Sequence, residues 1–214
     1  MPGVVVIGAG PGIGRAVAQR FARGGLEVAL VARTHRELGV AATTHLADVG
    51  DEHALRGALD GVAGELGLPE AVVYNAAVIR PDTPGELSVD EHLALWRVNV
   101  LGAYVAAAHL APAMAERGRG TFLVTGGMPE PKAAYSSLSL GKAALRTLVA
   151  LFAEQYPALH FATVTVAGAV APGTAFDPDD IAEHYWRLHT QRGPGWDLEV
   201  VHDQPQSWVK HPAR

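Results

Sequence analysis

Apolar runs of strand length alternate with segments of helical period along most of the 214-residue chain, and that alternation admits few folds. A strand covered on both faces must be apolar throughout. Such strands joined through helices form a parallel sheet with helices on either side. The spacing predicts strands at Val4–Ile7, Glu27–Val31, Thr44–Ala47, Ala71–Tyr74, Thr121–Thr125, Phe161–Val166 and Leu198–His202. It predicts helices over Gly12–Arg23, Asp51–Leu66, Ser88 to Arg117, Ala134–Tyr156 and Pro178–His189, with only a short helical turn near Thr34–Leu38. Ser88 with Glu91 has the spacing of a capping box, and bends are expected near Gly102 and Pro112. No linker, repeat or low-complexity tract interrupts the pattern, so the expectation is α/β: one doubly wound parallel sheet of about seven strands over residues 1–214.

Composition narrows the function classes. Hydrophobic residues at 49% against 18% charged supply a core and exclude wholesale disorder. A formal charge of −5, without basic–aromatic interleaving, speaks against nucleic acid as a partner. The absence of cysteine removes disulfides, thiolate metal sites and a cysteine nucleophile. No stretch approaches the ~18 uninterrupted apolar residues of a membrane helix, and the start lacks the layout of a secretory signal. A soluble, cytoplasmic protein with no membrane partner is expected.

Gly8-Ala9-Gly10-Pro11-Gly12-Ile13-Gly14 joins the first strand to the first helix. A tight turn without side chains, opening onto helix amides, is what a diphosphate requires, and here the flanking strand and helix supply that context. A flexible loop is the alternative. About 20 residues on, where an acidic residue holds a ribose 2′-hydroxyl in NAD-type sites, the chain has Ala32-Arg33-Thr34, followed by Arg36. A guanidinium there suits a 2′-phosphate, so NADP(H) is expected in preference to NAD(H); Arg33 as a merely solvated strand-end charge is the competing reading.

These residues resemble the short-chain dehydrogenase/reductase family over nearly the whole chain. Gly8, Gly12 and Gly14 match its glycine motif, with Ile7 where threonine is usual, and Ala47-Asp48-Val49 resembles the segment that meets the adenine ring. Asn75-Ala76-Ala77 resembles the Asn-Ala-Gly motif, Val98-Asn99-Val100-Leu101-Gly102 the segment of the family's catalytic Asn, and Gly141-Lys142-Ala143-Ala144-Leu145 that of its Lys. The resemblance implies a Rossmann fold and hydride transfer between a nicotinamide and a carbonyl or alcohol. In that chemistry a tyrosine moves the proton, a lysine lowers its pKa, and a serine orients the oxygen. It also implies cofactor contacts from Gly8, Gly10, Gly12, Ile13, Gly14, Arg33, Asp48, Val49, Asn75, Ala76, Ala77, Lys142 and Thr174. A homodimer or homotetramer is implied through the two long helices, with Ala103, Ala106, Ala107, Ala143 and Ala144 as the contact faces.

The match breaks at the proton donor. Four residues before Lys142 stands Leu138, not tyrosine, and the serine position falls on Gly126 or Gly127. Tyr135 lies three before Leu138 and seven before Lys142, on one face if the helix is continuous. It is a substitute donor, a packing or subunit-contact residue, or a cofactor or substrate contact. Thr125 offers a hydroxyl that the strand alternation can turn into the sheet. Asn99, Lys142, Tyr135 and Thr125 are thus the candidates for the reacting centre. After Phe161–Val166 little chain remains for a substrate lid, so a shallow, open substrate side is expected, with Phe176, Tyr185, Trp186 and Trp196 as its walls or as ordinary core.

The histidines, at 35, 45, 53, 92, 109, 160, 184, 189, 202 and 211, have no metal-ligand spacing, and no Gly-x-Ser-x-Gly elbow is present. Two functions remain open: an atypical NADP(H)-dependent oxidoreductase acting on a small carbonyl or alcohol, or a binding module that has lost the chemistry and serves as sensor or partner subunit.

Overall fold

A computed structural model describes residues 3–35, 37–193 and 195–203; Arg36 and His211 lie outside the described residues. Seven parallel strands form one sheet: β1 (Gly3–Ile7), β2 (Glu27–Ala32), β3 (Ala42–Leu46), β4 (Ala71–Tyr74), β5 (Thr121–Gly127), β6 (His160–Val166) and β7 (Glu199–His202). Their order is β3-β2-β1-β4-β5-β6-β7. The chain therefore reverses its direction of travel across the sheet between β1 and β4, which pair Val4 with Ala71 through Ile7 with Tyr74. Crevices for ligands open at such a reversal, beyond the carboxyl ends of the strands.

Alternate residues of each strand feed two cores. Val5 and Ile7 pack with residues of α2 (Glu52–Leu66), α4 (Gly102–Glu116) and α5 (Ser136–Gln155). Val4 and Val6 pack with those of α1 (Ile13–Arg23) and α6 (Pro178–Thr190). The remaining helix, α3 (Val89–Trp96), opens on the expected capping box: Ser88 accepts from the Glu91 amide, and the Glu91 carboxylate accepts from the Ser88 amide at 2.9 Å. The run from Val89 to Glu116 is apolar and long enough to cross a membrane by composition, yet much of it is buried within the fold.

The expected bend at Gly102 takes the form of a π-helical turn over Arg97–Leu101. Its cause is Tyr74: a Cβ on Gly102 would lie 2.2 Å from the phenol oxygen, and that hydroxyl donates to the Val98 carbonyl. The widened turn makes room for a fully buried ring. Pro112, by contrast, sits inside α4, which runs on to Glu116.

Three expectations need correction. Thr34–Leu38 forms no helical turn among its described residues; the Gln19 amide donates to the Leu38 carbonyl at 2.8 Å and Leu38 is drawn into the core, contacts that outweigh a costly helix nucleus. Ala134 and Tyr135 are not helical. Asp82 captures their backbone in an isolated bridge, donating to the Ala134 carbonyl at 3.1 Å and accepting from the Ser136 amide at 3.0 Å. Ala103, Ala106 and Ala107 offer no subunit face, since all are fully buried in the core beside the sheet.

One pH effect follows from the packing of α6 against β7. His202 Nε2 lies 2.8 Å from the Ala175 carbonyl and so carries the proton; its Nδ1 then accepts from His184 Nε2 at 2.9 Å. Burial, with Arg187 adding to it, lowers His184 from 6.5 to about 4. A neutral histidine in the folded state contributes stability that is complete above pH 6.5 and is lost as pH falls towards 4. The melting temperature is expected to drop across that window, and less steeply in His184→Gln; equal slopes by calorimetry contradict this.

Candidate functional site

The glycine turn is built so that side chains are excluded where backbone must pass. Gly8 has φ +85°, and a Cβ there would lie 2.3 Å from the Ala76 amide nitrogen, so only glycine fits. Gly14 packs α1 against the turn, with a Cβ position 2.9 Å from the Gly8 carbonyl oxygen. At Gly10 and Gly12 an added Cβ would meet nothing within 4 Å, so the backbone there faces open space. Gly12 caps α1 without any side-chain hydrogen bond, and Ile13 and Gly14 are buried in its first turn.

The open space at Gly10 belongs to a groove of about 560 Å³ along the carboxyl ends of β2, β1 and β4. Gly8, Gly10, Arg33, Asp48, Val49 and Asn75 line it, with Ala76 and Ala77 beside them. Arg33 stands where β2 ends and forms no ion pair with any described residue. The Asp48 carboxylate accepts from the Gly50 amide at 2.9 Å, which fixes its corner of the groove. The bare glycine backbone and the helix start together fit a diphosphate.

Under the groove runs a partly buried polar chain. Asn75 Nδ2 donates to the Gly8 carbonyl at 3.0 Å, and its Oδ1 accepts from the Thr125 hydroxyl at 2.8 Å. The Tyr185 hydroxyl is 2.7 Å from Thr125 Oγ1 and, Thr125 having given its proton to Asn75, is the donor there. Burial raises the Tyr185 phenol well above its ordinary value. Thr125 is therefore turned towards α6, and its hydroxyl is engaged on that side of the sheet. Nothing in the spacing around Tyr185 signals this chain, which depends on three strand ends meeting a helix.

Lys142 lies on the other side. It is fully buried on α5, and its Nζ donates to the Thr125 carbonyl at 2.6 Å. A Cβ on Gly127 would lie 3.7 Å from Lys142 Cε, whereas one on Gly126 would collide with Thr165 Oγ1 at 2.4 Å. Of the two glycines, Gly127 is the one that faces the lysine. Leu138 is buried one turn before Lys142. Tyr135 precedes α5 in non-helical backbone (φ −142°, ψ 53°), so the continuous helix that put Tyr135, Leu138 and Lys142 on one face does not exist.

Asn99, in the π-turn, grips the loop after β4: its Oδ1 accepts from the Val78 amide at 2.7 Å and its Nδ2 donates to the Val78 carbonyl at 3.1 Å. Thr174 is occupied within its own loop, donating to the Ala171 carbonyl at 2.8 Å and accepting from the Phe176 amide at 3.1 Å. The aromatic residues considered as walls pack elsewhere: Tyr185 in the core, Trp186 edge-on to Phe21, Trp196 stacked on His160, and Phe176 against His202. Asp82 and Arg146 were not singled out in the sequence. Asp82 accepts from the Ser137 amide at 3.0 Å and the Ser137 hydroxyl at 2.7 Å, holding the start of α5. Arg146 donates to the carbonyls of Gly127 at 3.1 Å and Met128 at 3.4 Å; its spacing of four from Lys142 was the available signal.

A sheet of this order, with a glycine-rich turn over its switch point, defines a doubly wound nucleotide-type fold. Residues 3–177 match the family model for short chain dehydrogenase. The chain is 30% identical over 188 residues to a cis-4-hydroxycyclohexanecarboxylate dehydrogenase of Sinomonas cyclohexanicum, covering 81% of this chain and 73% of that one. It is 33% identical over 129 residues to an uncharacterized oxidoreductase of Thermotoga maritima, with 56% of this chain matched to 50% of the relative, so only about half the length of that protein is spanned. An alcohol dehydrogenase from Thermococcus sibiricus, solved with 5-hydroxy-NADP, superposes with a TM-score of 0.83 at 26% identity, covering 94% of this chain and 96% of that one. A metagenomic short-chain oxidoreductase solved with NADP gives 0.83 at 29% identity, with 95% and 97% covered. The chain belongs to the short-chain dehydrogenase family.

Proposed function

We propose that this protein is an NADP(H)-dependent oxidoreductase that moves a hydride between a nicotinamide and a small carbonyl or alcohol, with a proton donor other than the family's tyrosine. The observation that carries the reading is the groove itself: bare backbone at Gly10 lining the same space as Arg33, with no acidic residue at the end of β2. The backbone of Gly8 to Gly14 would hold the diphosphate, and Arg33 the 2′-phosphate. Asp48 and Val49 would flank the adenine, with Asn75 to Ala77 along the dinucleotide, Lys142 at the nicotinamide ribose, and Thr174 near the carboxamide. When bound, the dinucleotide supplies or accepts the hydride. Two relatives solved with NADP or a derivative support the cofactor class.

Calorimetry with NADPH and NADH, followed by turnover of an aldehyde and ketone panel, tests the reading. Binding without turnover of any carbonyl favours the second reading, a sensor or partner subunit, for which Leu138 and Gly127 at the positions of the family's phenol and hydroxyl speak directly.

Self-association through α4 and α5 belongs to the same proposal, but on different residues from those expected. Leu101, Tyr104, Leu140 and Leu151 are exposed on these neighbouring helices and their π-turn, and Ala143 joins them. Burying such side chains gains about 1.5–3 kcal/mol each. The double variant Leu140→Glu/Leu151→Glu is expected to be monomeric by light scattering where the parent is a dimer or tetramer; an unchanged mass rejects this face.

A further inference from the structure

Resting on the oxidoreductase reading above, we propose that Lys142 itself is the proton donor of the reaction, and that Arg146 is the positioning residue that tunes it. Leu138 places a hydrocarbon, not a phenol, one turn before Lys142, and Gly127 places no side chain against Lys142 Cε. The Thr125 hydroxyl is engaged with Asn75 and Tyr185. Tyr135 lies ahead of the helix. The ammonium that remains has one partner among the described residues, the Thr125 carbonyl at 2.6 Å, which leaves two of its three N–H bonds without a protein acceptor there.

Arg146 follows Lys142 by one helical turn and anchors the corner after β5 through the Gly127 and Met128 carbonyls. Met128 is the non-glycine residue held at positive φ (+48°) among the described residues, and the guanidinium fixes its carbonyl. The same guanidinium places positive charge beside Lys142. Burial first, and Arg146 second, bring the ammonium from 10.5 down to about 8. Among the described residues, the other elements around it supply no opposing charge. β5 presents the Thr125 carbonyl and Gly127, and the π-turn presents Asn99 and Val100 against Gly141. The carboxylate of Asp82 is held at Ser137, Glu91 is held by Ser88, Tyr104 packs on Phe152, and His160 of β6 is bound to the Leu188 and Asp197 carbonyls.

In the reductive direction the substrate carbonyl carbon receives a hydride from a reduced pyridine dinucleotide, and negative charge gathers on its oxygen. A lysine N–H bond breaks and an O–H bond forms. The electron pair stays on nitrogen, and water returns a proton to the amine. A donor of this kind is active only while protonated, so reduction slows as pH rises through the lysine's pKa.

Two measurements on the full chain separate this proposal from the reading it rests on. The lysines are Lys132, Lys142 and Lys210, so NMR of 13C-ε-lysine protein follows Lys142 without any cofactor. Arg146→Gln is expected to raise its midpoint by roughly half to one pH unit through loss of the like charge, and Arg146→Lys to restore it. Rates of reduction of benzaldehyde and cyclohexanone by NADPH, from pH 6 to 10, are expected to show an alkaline limb that moves with the NMR midpoint in all three proteins. A midpoint that moves while the limb stays overturns Lys142 as donor, and a midpoint that does not move overturns Arg146 as the residue that tunes it; either leaves the oxidoreductase reading standing. An enzyme that binds NADPH and reduces neither carbonyl overturns both.

Discussion

Gly8→Ala is expected to abolish dinucleotide binding and to lower stability by on the order of 3–5 kcal/mol, the range of severe backbone and overpacking lesions. Two costs add at this position. The left-handed backbone at φ +85° disfavours any Cβ by about 1 kcal/mol or more. The added methyl would then lie 2.3 Å from the Ala76 nitrogen and 2.5 Å from its Cα, and both are backbone atoms that cannot rotate away. Relief requires β1 and the loop after β4 to separate, which breaks the bond from Asn75 Nδ2 to the Gly8 carbonyl and spoils the groove. Gly10→Ala is the internal control: nothing lies within 4 Å of its Cβ, so the fold is expected to survive while a bound diphosphate loses its close approach. Thermal unfolding and NADPH calorimetry on both variants check this. A Gly8→Ala protein that melts and binds as the parent does removes the turn from the site.

Arg33→Asp is expected to weaken NADPH binding by roughly 100-fold or more while NADH binding holds or improves. A charge-assisted hydrogen bond contributes about 1.5–3 kcal/mol, each 1.4 kcal/mol is tenfold in affinity, and the substituted carboxylate adds repulsion against a 2′-phosphate. The same carboxylate can accept from a ribose 2′-hydroxyl, so the preference inverts. Because Arg33 lines the groove and forms no ion pair with a described residue, the exchange costs the fold little. Equal affinity for both dinucleotides in the parent, unchanged in Arg33→Asp, rejects the assignment.

Most of the sheet could be read from residues alone because its strands are continuous apolar runs: Ala71–Tyr74 is observed with the expected ends, and Val4–Ile7 is longer by one residue. Local chemistry was equally legible at Ser88, whose side chain caps α3 as the spacing implies. The failures share a cause. Ala134 and Tyr135 have no local reason to leave the helix, and Asp82, more than fifty residues earlier in the chain, removes them from it. Ala103, Ala106 and Ala107 look like a contact stripe, and only the packing of α4 shows that the sheet side takes them while Leu101 and Tyr104 face outward. The outline of the groove was legible through its glycines and Arg33. The orientation of Thr125 was not, because a hydroxyl at a strand end can turn to either core.

Sequence by itself settled that Leu138 and Gly127 bring no ionisable or hydroxyl group to their places in any fold. It also settled the parallel sheet and its glycine turn, because those follow from apolar periodicity and from backbone freedom, which are local properties. Tertiary structure alone decided what surrounds Lys142. Burial, the Thr125 carbonyl and the Arg146 guanidinium meet there from β5 and α5, and a side chain's proton affinity is set by the charges and solvent that packing places around it.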